Sequence, residues 1–313
     1  FTIACLVFQF TIGFAMALFF SQKFKGCGVI RGLMLIPCMG TYAATNAEGT
    51  VTYDGEELIT EYSEEEMRQA FGSMVPGFTY APFNDLEAFK AACTEDTVGI
   101  MVEPVQGEGG VHPANPDFLI GLRKFCDAKG ILLLLDEVQT GWCRTGALMS
   151  FMNYGIKPDI VSMAKAMGGG MPIGAICARR EVAAAFTLGS HGTTFGGHPV
   201  SCAAALAAID EMQELDLARR AEKMGTYFRP KLEPLPHVKE VRGQGLLIGV
   251  EFDDSVSGKE VKHKCLEKHL LRTAIGVHTI RMVPPLIVGE DECDHAAEII
   301  GESVRELAGE GKG

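Results

Sequence analysis

The chain is punctuated by short apolar runs that end on charged side chains. "VGIMVEP" (98–104) closes around Glu103, "ILLLLDE" (131–137) on Asp136 and Glu137, and "DIVSMAK" (159–165) on Lys165. A fourth run, "IGAICA" (173–178), follows. Runs that are apolar at successive positions, rather than alternate ones, read as strands of a parallel sheet covered on both faces. Between the first two lies "PDFLIGLRKFCDAKG" (116–130). It has Phe118, Leu119, Leu122 and Phe125 at helical spacing, with Gly130 where a helix stop belongs. Alternation of strand and helix predicts an α/β fold with a mostly parallel sheet. In such sheets ligands bind beyond the carboxyl ends of the strands, where Glu103, Asp136 and Lys165 stand.

Further along, "HPVSCAAALAAIDEMQEL" (198–215) predicts a long Ala-rich helix. "VRGQGLLIGVEF" (241–252), a helix around 258–272, "TIRMVPPLIV" (279–288) and the helix "DECDHAAEIIGESVREL" (291–307) then predict a small α+β domain. The expected division is an atypical segment over 1–70, part of a large domain over 71–215 and a small C-terminal domain over 216–313. A chain of 313 residues, 47% hydrophobic and 22% charged, suits a soluble globular protein of that organisation. The net charge of −12, with no basic stripe, argues against a nucleic-acid binder. Ten cysteines show no C-x-x-C and no Cys/His cluster at zinc spacing. They read as reduced thiols of a cytoplasmic protein without a metal site.

The opening "FTIACLVFQFTIGFAMALFFSQ" (1–22) carries no charge, and Lys23, Lys25 and Arg31 follow it. About 20 apolar residues suffice to span a bilayer. The preferred expectation is instead a non-native start on a truncated chain, and no membrane partner is expected.

Lys165 and Asp136 suggest the chemistry. A lysine whose pKa is lowered by burial forms a Schiff base with an aldehyde cofactor. An aspartate paired with a pyridinium nitrogen makes that cofactor an electron sink. Gly168, Gly169 and Gly170 would let the backbone pass close to a bound ring. Lysine and aspartate at neighbouring strand ends therefore suit pyridoxal 5'-phosphate.

Five stretches carry a resemblance: "VEPVQGEGGV" (102–111), "LLLDEVQTGWCRTG" (133–146), "PDIVSMAKAMGGGMPIGA" (158–175), "HGTTFGGHPVSCAAALA" (191–207) and "IRMVPPL" (280–286). In this order they resemble the signatures of class III pyridoxal-phosphate-dependent aminotransferases, over roughly residues 71–308. The resemblance implies the type I fold of such transferases, here N-terminally incomplete, and a homodimer with a shared active site. By the same resemblance Lys165 is the Schiff-base lysine and carries the substrate's Cα proton. Asp136 holds the pyridine nitrogen protonated, Gln139 contacts the phenolic oxygen, and Val138 packs on the ring beside Glu137. Thr194 reaches the phosphate of the other subunit and Thr193 lies beside the substrate. Arg281 binds the substrate carboxylate, and Glu108 is the switch that masks or releases it.

Taken singly, each residue has an ordinary structural role. Asp136 and Glu137 could begin a helix, Thr193 and Thr194 could form a turn, and Arg281 could close a surface ion pair. Arg144 and Glu103 are read as structural in either case. The resemblance implies amino-group transfer between N-acetylornithine, or a similar ω-amino donor, and 2-oxoglutarate in arginine biosynthesis. The alternatives are ornithine or 4-aminobutyrate as donor, or a non-catalytic remnant of the fold. Three features depart from the family. The Gly-Ser/Thr-Gly-x-Glu-Ala-type phosphate loop and the ring-stacking aromatic residue are absent, "GTYAATNAE" (40–48) echoing the loop only faintly. His198 also stands where the family commonly has asparagine.

Overall fold

A computed structural model describes residues 79–188 and 192–309, and the backbone of 51–53 and 56–58. The apolar 1–22 stretch and "GTYAATNAE" lie outside the described residues. Contacts divide the chain into two compact units, 1–75 and 76–313. In the first, β1 (Val51–Tyr53) and β2 (Glu56–Leu58) pair antiparallel.

The second unit begins with helix α1 (Leu86–Ala92), capped by Asp85, whose Oδ1 accepts from the Ala88 amide at 2.9 Å. Strand β3 (Gly99–Val102) leads into the short pair β4 (Val105–Gln106) and β5 (His112–Pro113). Helix α2 (Pro116–Lys129) has proline in its first turn and Gly130 in the left-handed conformation at its end, φ 70°. Its stripe of Phe118, Leu119, Leu122 and Cys126 is buried.

Strands β6 (Leu132–Asp136) and β7 (Ile160–Met163) follow, then β8 (Ala175–Ala178). The sheet order is β3-β6-β7-β8, with β3, β6 and β7 parallel and β8 antiparallel to β7. The fourth apolar run thus departs from a fully parallel sheet. A parallel return needs a crossover of a dozen or more residues, usually helical. The 164–174 connection holds only a 3-10 turn over Lys165–Gly168. Gly169 (φ 55°) and Gly170 (φ 105°) take backbone angles that favour glycine and help the chain reverse.

Ile100, Val102, Leu133 and Leu135 form one buried face with the α2 stripe, and Leu86 and Phe89 of α1 join it. The Phe89 and Phe118 rings meet edge to face at 5.3 Å. Met101 and Ile176, on the other face, are 58% and 63% exposed. Coverage on both faces was expected, but α1 and α2 both pack on one side.

Asp159 fastens the sheet. Its buried carboxylate accepts from the Leu133 amide at 2.7 Å and pairs with Arg123 at 2.9 Å and Arg179 at 2.7 Å. It thereby ties β6, α2 and the end of β8 to the start of β7.

After α3 (Arg180–Ala183), helices α4 (Pro199–Glu214) and α5 (Leu217–Leu232) lead to β9 (Val238–Gln244) and β10 (Leu247–Phe252). Helix α6 (Gly258–Glu267), β11 (Thr273–Ile275), β12 (Thr279–Met282) and α7 (Glu290–Leu307) complete the chain. The second sheet has the order β11-β12-β10-β9 and is antiparallel throughout.

"VRGQGLLIGVEF" is therefore a hairpin, its strands turning at Gly245 (φ 55°) and Leu246. Gly225 of α5 lies against the Gly245 carbonyl, where a Cβ would collide with backbone. The core of this half gathers Phe228, Leu246, Ile248, Val250, Ile280 and Ile300, together with Trp142, Cys143 and Met149 from the loop after β6. Each such apolar side chain contributes about 1.5–3 kcal/mol on full burial. The loop that follows Asp136 is thus anchored in the second sheet's core.

Candidate active site

Four segments far apart in sequence converge at the carboxyl ends of β3, β6 and β7. Lys165 follows β7 in a left-handed conformation, φ 49°, which is costly for a side chain with a Cβ. The charges acting on its ammonium are, in order, Glu108, Arg281, Glu103 and Asp136. The residue is exposed overall, yet enough protein surrounds its ammonium to lower the pKa below the ordinary lysine value. Arg281 adds to that shift, and the three carboxylates oppose it.

Asp136 ends β6. Its Oδ1 accepts from the Val138 amide at 2.9 Å, which sets the turn that Val138 begins. Among the described residues its Oδ2 accepts no hydrogen bond. Glu137 is turned the other way. Its fully buried carboxylate accepts from the Thr140 hydroxyl at 2.6 Å and from the amides of Ser150 and Phe151 at 2.9 and 2.8 Å. Burial nevertheless pushes its pKa up. This carboxylate organises the loop interior instead of facing Lys165.

Glu108, Gln139 and Arg281 close a ring of hydrogen bonds. Arg281 Nη1 donates to Glu108 Oε1 at 2.8 Å and to Gln139 Oε1 at 3.0 Å, and Gln139 Nε2 donates to Glu108 Oε1 at 2.8 Å. Arg281 Nε also donates to Thr273 Oγ1 at 3.2 Å. Partial burial would raise the Glu108 pKa, but the Arg281 guanidinium and the Gln139 amide hold it below the ordinary value. The Arg281 side chain is 11% exposed and that of Glu108 70%, so the carboxylate covers the guanidinium from the solvent side.

Thr193 and Thr194 lie on an exposed turn ahead of α4, and no hydrogen bond joins them to this cluster among the described residues. Arg144 spans the two halves. It donates to the Leu246 and Pro284 carbonyls at 3.1 and 2.6 Å, and burial lowers its pKa to about 10.

Three further residues belong to the picture. Glu103 Oε2 accepts from the Gly107 amide at 3.1 Å. Burial raises its pKa, and the charges of Asp136 and Glu108 add to the rise. Its strand-end position was the available signal. The Ser162 hydroxyl is buried and unpartnered among the described residues, and Ser162 sits opposite Asp136 in the β6–β7 ladder. Arg242 of β9 reaches the loop that carries Glu108, donating from Nε to the Gly110 carbonyl at 2.8 Å. A serine in an apolar run and an arginine in a strand gave no sign of either placement.

Two surface clefts, of about 440 and 360 Å³, lie along α5 and α7 and touch none of these residues. The charges gathered around Lys165 mark the site. A lysine of lowered pKa beside a carboxylate with an unbonded oxygen fits an aldehyde cofactor with a basic ring nitrogen.

The aminotransferase class-III family model matches residues 56–304, and the chain belongs to that family. The match begins ahead of residue 71. The chain is 45% identical over 244 residues to the acetylornithine aminotransferase of Methanocaldococcus jannaschii, covering 77% of this chain and 61% of that protein. Among solved structures it is similar to the ornithine aminotransferase of Toxoplasma gondii, with TM-score 0.73, 36% identity, and coverage of 77% of this chain and 58% of that one. It is also similar to the acetylornithine aminotransferase of Elizabethkingia anophelis, with TM-score 0.70, 35% identity, and coverage of 74% and 63%. The chain thus spans less than two thirds of the length of these relatives. Among the described residues no helix is long and apolar enough to cross a membrane.

Proposed function

We propose that this chain carries the catalytic centre of a pyridoxal-phosphate-dependent aminotransferase acting between N-acetylornithine and 2-oxoglutarate, in arginine biosynthesis. The convergence of Lys165, Asp136, Glu108 and Arg281 from separate segments carries the reading. When bound, the cofactor supplies an aldehyde that takes up the amino group and a ring that accepts electron density from the substrate's Cα. Lys165 would hold the aldehyde, and its Nζ would carry the Cα proton. Asp136, whose Oδ2 is left free by the turn, would hold the ring nitrogen protonated. Gln139 and Val138 would hold the ring's phenolic edge and face. Glu137 shapes the loop from within.

Arg281 binds the 2-oxo acid's carboxylate as a charge-assisted fork. Glu108 covers that guanidinium while the ω-amino donor is in place, with Thr193 alongside. A second copy of the chain completes the site, its Thr194 serving the phosphate. The exposed apolar Phe195, Val200 and Leu206 support such a contact on and beside α4. The described cysteines are all free thiols, which suits the cytoplasm.

The donor is N-acetylornithine in preference to ornithine, although both kinds of enzyme stand among the similar solved structures. Steady-state assays with 2-oxoglutarate and three donors test this. N-acetylornithine is expected to exceed ornithine and 4-aminobutyrate in kcat/KM by about ten-fold or more, the usual scale of pocket discrimination. A preference for ornithine would move the chain to the other branch. No cofactor uptake in an absorbance titration would make it a remnant.

A further inference from the structure

The loop joining β4 to β5 carries Glu108 and is held in an unfavourable shape. Gly110 has φ 115° and Val111 has φ 59°. A β-branched residue in that region is a true outlier and persists only where its surroundings enforce it. Two contacts enforce it here. Val111 is fully buried against Val105 and Leu247, and Gly249 makes room for it, since a Cβ there would come within 2.9 Å of the Val111 Cβ. The other contact is polar: Arg242 Nε donates to the Gly110 carbonyl at 2.8 Å.

Arg242 is itself well fixed. Its side chain is 8% exposed, and its Nη1 donates to Glu240 at 2.9 Å and to Glu251. Its Nη2 lies 3.5 Å from Thr279 Oγ1 on β12, the strand that bears Arg281. The guanidinium thus joins the small sheet to a carbonyl two residues from Glu108.

We propose that Arg242 is a positioning residue that sets the Glu108 carboxylate over Arg281. It makes no contact with the reacting groups and acts through the Gly110 carbonyl. Its importance rests on the reading of Glu108 as the cover of Arg281, whereas its test needs no turnover. Lysine at this position keeps a cation beside Glu240 and Glu251, yet lacks the planar fork needed to hold the Gly110 carbonyl as well.

The experiment measures phenylglyoxal modification of Arg281 by peptide mass mapping in the whole chain. Glu108→Ala, which removes the covering group, sets the rate for an uncovered Arg281. Arg242→Lys is expected to raise the wild-type rate about three- to ten-fold, the factor for losing one ordinary hydrogen bond. Adding Arg242→Lys to Glu108→Ala should raise it no further, because Arg242 acts through the carboxylate that Glu108→Ala has removed. Should Arg242→Lys not fold, Glu251→Gln loosens Arg242 without touching the loop and is expected to give a smaller rise. A wild-type rate in the folded variant, or additive rates in the double variant, overturns the proposal. Failure of the aminotransferase reading would appear in the donor assays and leave these rates unchanged.

Discussion

Glu108 and Arg281, 173 residues apart in sequence, meet at 2.8 Å, with the exposed carboxylate covering a guanidinium that is itself nearly buried. Glu108→Gln keeps the shape and removes the charge. Hydrogen bonds to charged groups are worth about 1.5–3 kcal/mol, so kcat/KM for the donor should fall about 10- to 100-fold. The 2-oxo acid half-reaction, which needs Arg281 uncovered, should keep its rate. Stopped-flow measurement of the two halves checks this, and an equal loss in both would count against a masking role.

Asp136→Asn keeps the turn made with the Val138 amide, because an amide oxygen can still accept that bond. It loses the charge offered at Oδ2. A preorganised electrostatic contact of this kind is worth about 10²–10³ in rate, and a drop of that size in kcat is expected with the fold intact by circular dichroism.

The Asp159 junction gives a pH dependence. Burial raises its pKa, but the Leu133 amide and the Arg123 and Arg179 guanidinium groups outweigh that and hold it below 3.8. A depressed carboxylate pKa contributes stability that is complete above the unfolded value and lost as pH falls through the folded one. Asp159→Asn should therefore destabilise the chain at neutral pH by about 3–5 kcal/mol, since it leaves Arg123 without its buried partner. Urea denaturation should show this difference shrinking once the pH drops below 3.8.

Arg272 is 9% exposed; among the described residues it donates only from Nη1, to the Leu270 carbonyl at 3.2 Å, while Nε and Nη2 have no partner. Burial lowers its pKa to about 10, the mark of a cation held where it is disfavoured. Arg272→Met should stabilise the chain by about 1–2 kcal/mol, because an apolar side chain of similar length removes an uncompensated buried charge. Thermal unfolding checks the sign.

The strand ends were readable because apolar runs closed by charge leave few other placements. Helix α2 was readable because Pro116 and Gly130 punctuate it. Helix α5 was not, since it starts from Asp216 in a left-handed conformation without a side-chain cap, and Ala221 and Gly225 dilute its apolar stripe. The direction of β8 depends on a connection, which apolar pattern does not encode. Lys165, Asp136, Glu108 and Arg281 were named from their motifs, and the folded chain brings them together. Arg242 was not, because its partner carbonyl lies 132 residues away and only the folded chain brings them together.

The mechanism depends first on Lys165 as the residue that holds the cofactor. Incubation with pyridoxal phosphate, reduction with borohydride and peptide mapping by mass spectrometry test it directly. One pyridoxyl group is expected, on Lys165, absent from Lys165→Ala. A label on another lysine, or retained labelling in that variant, would contradict it.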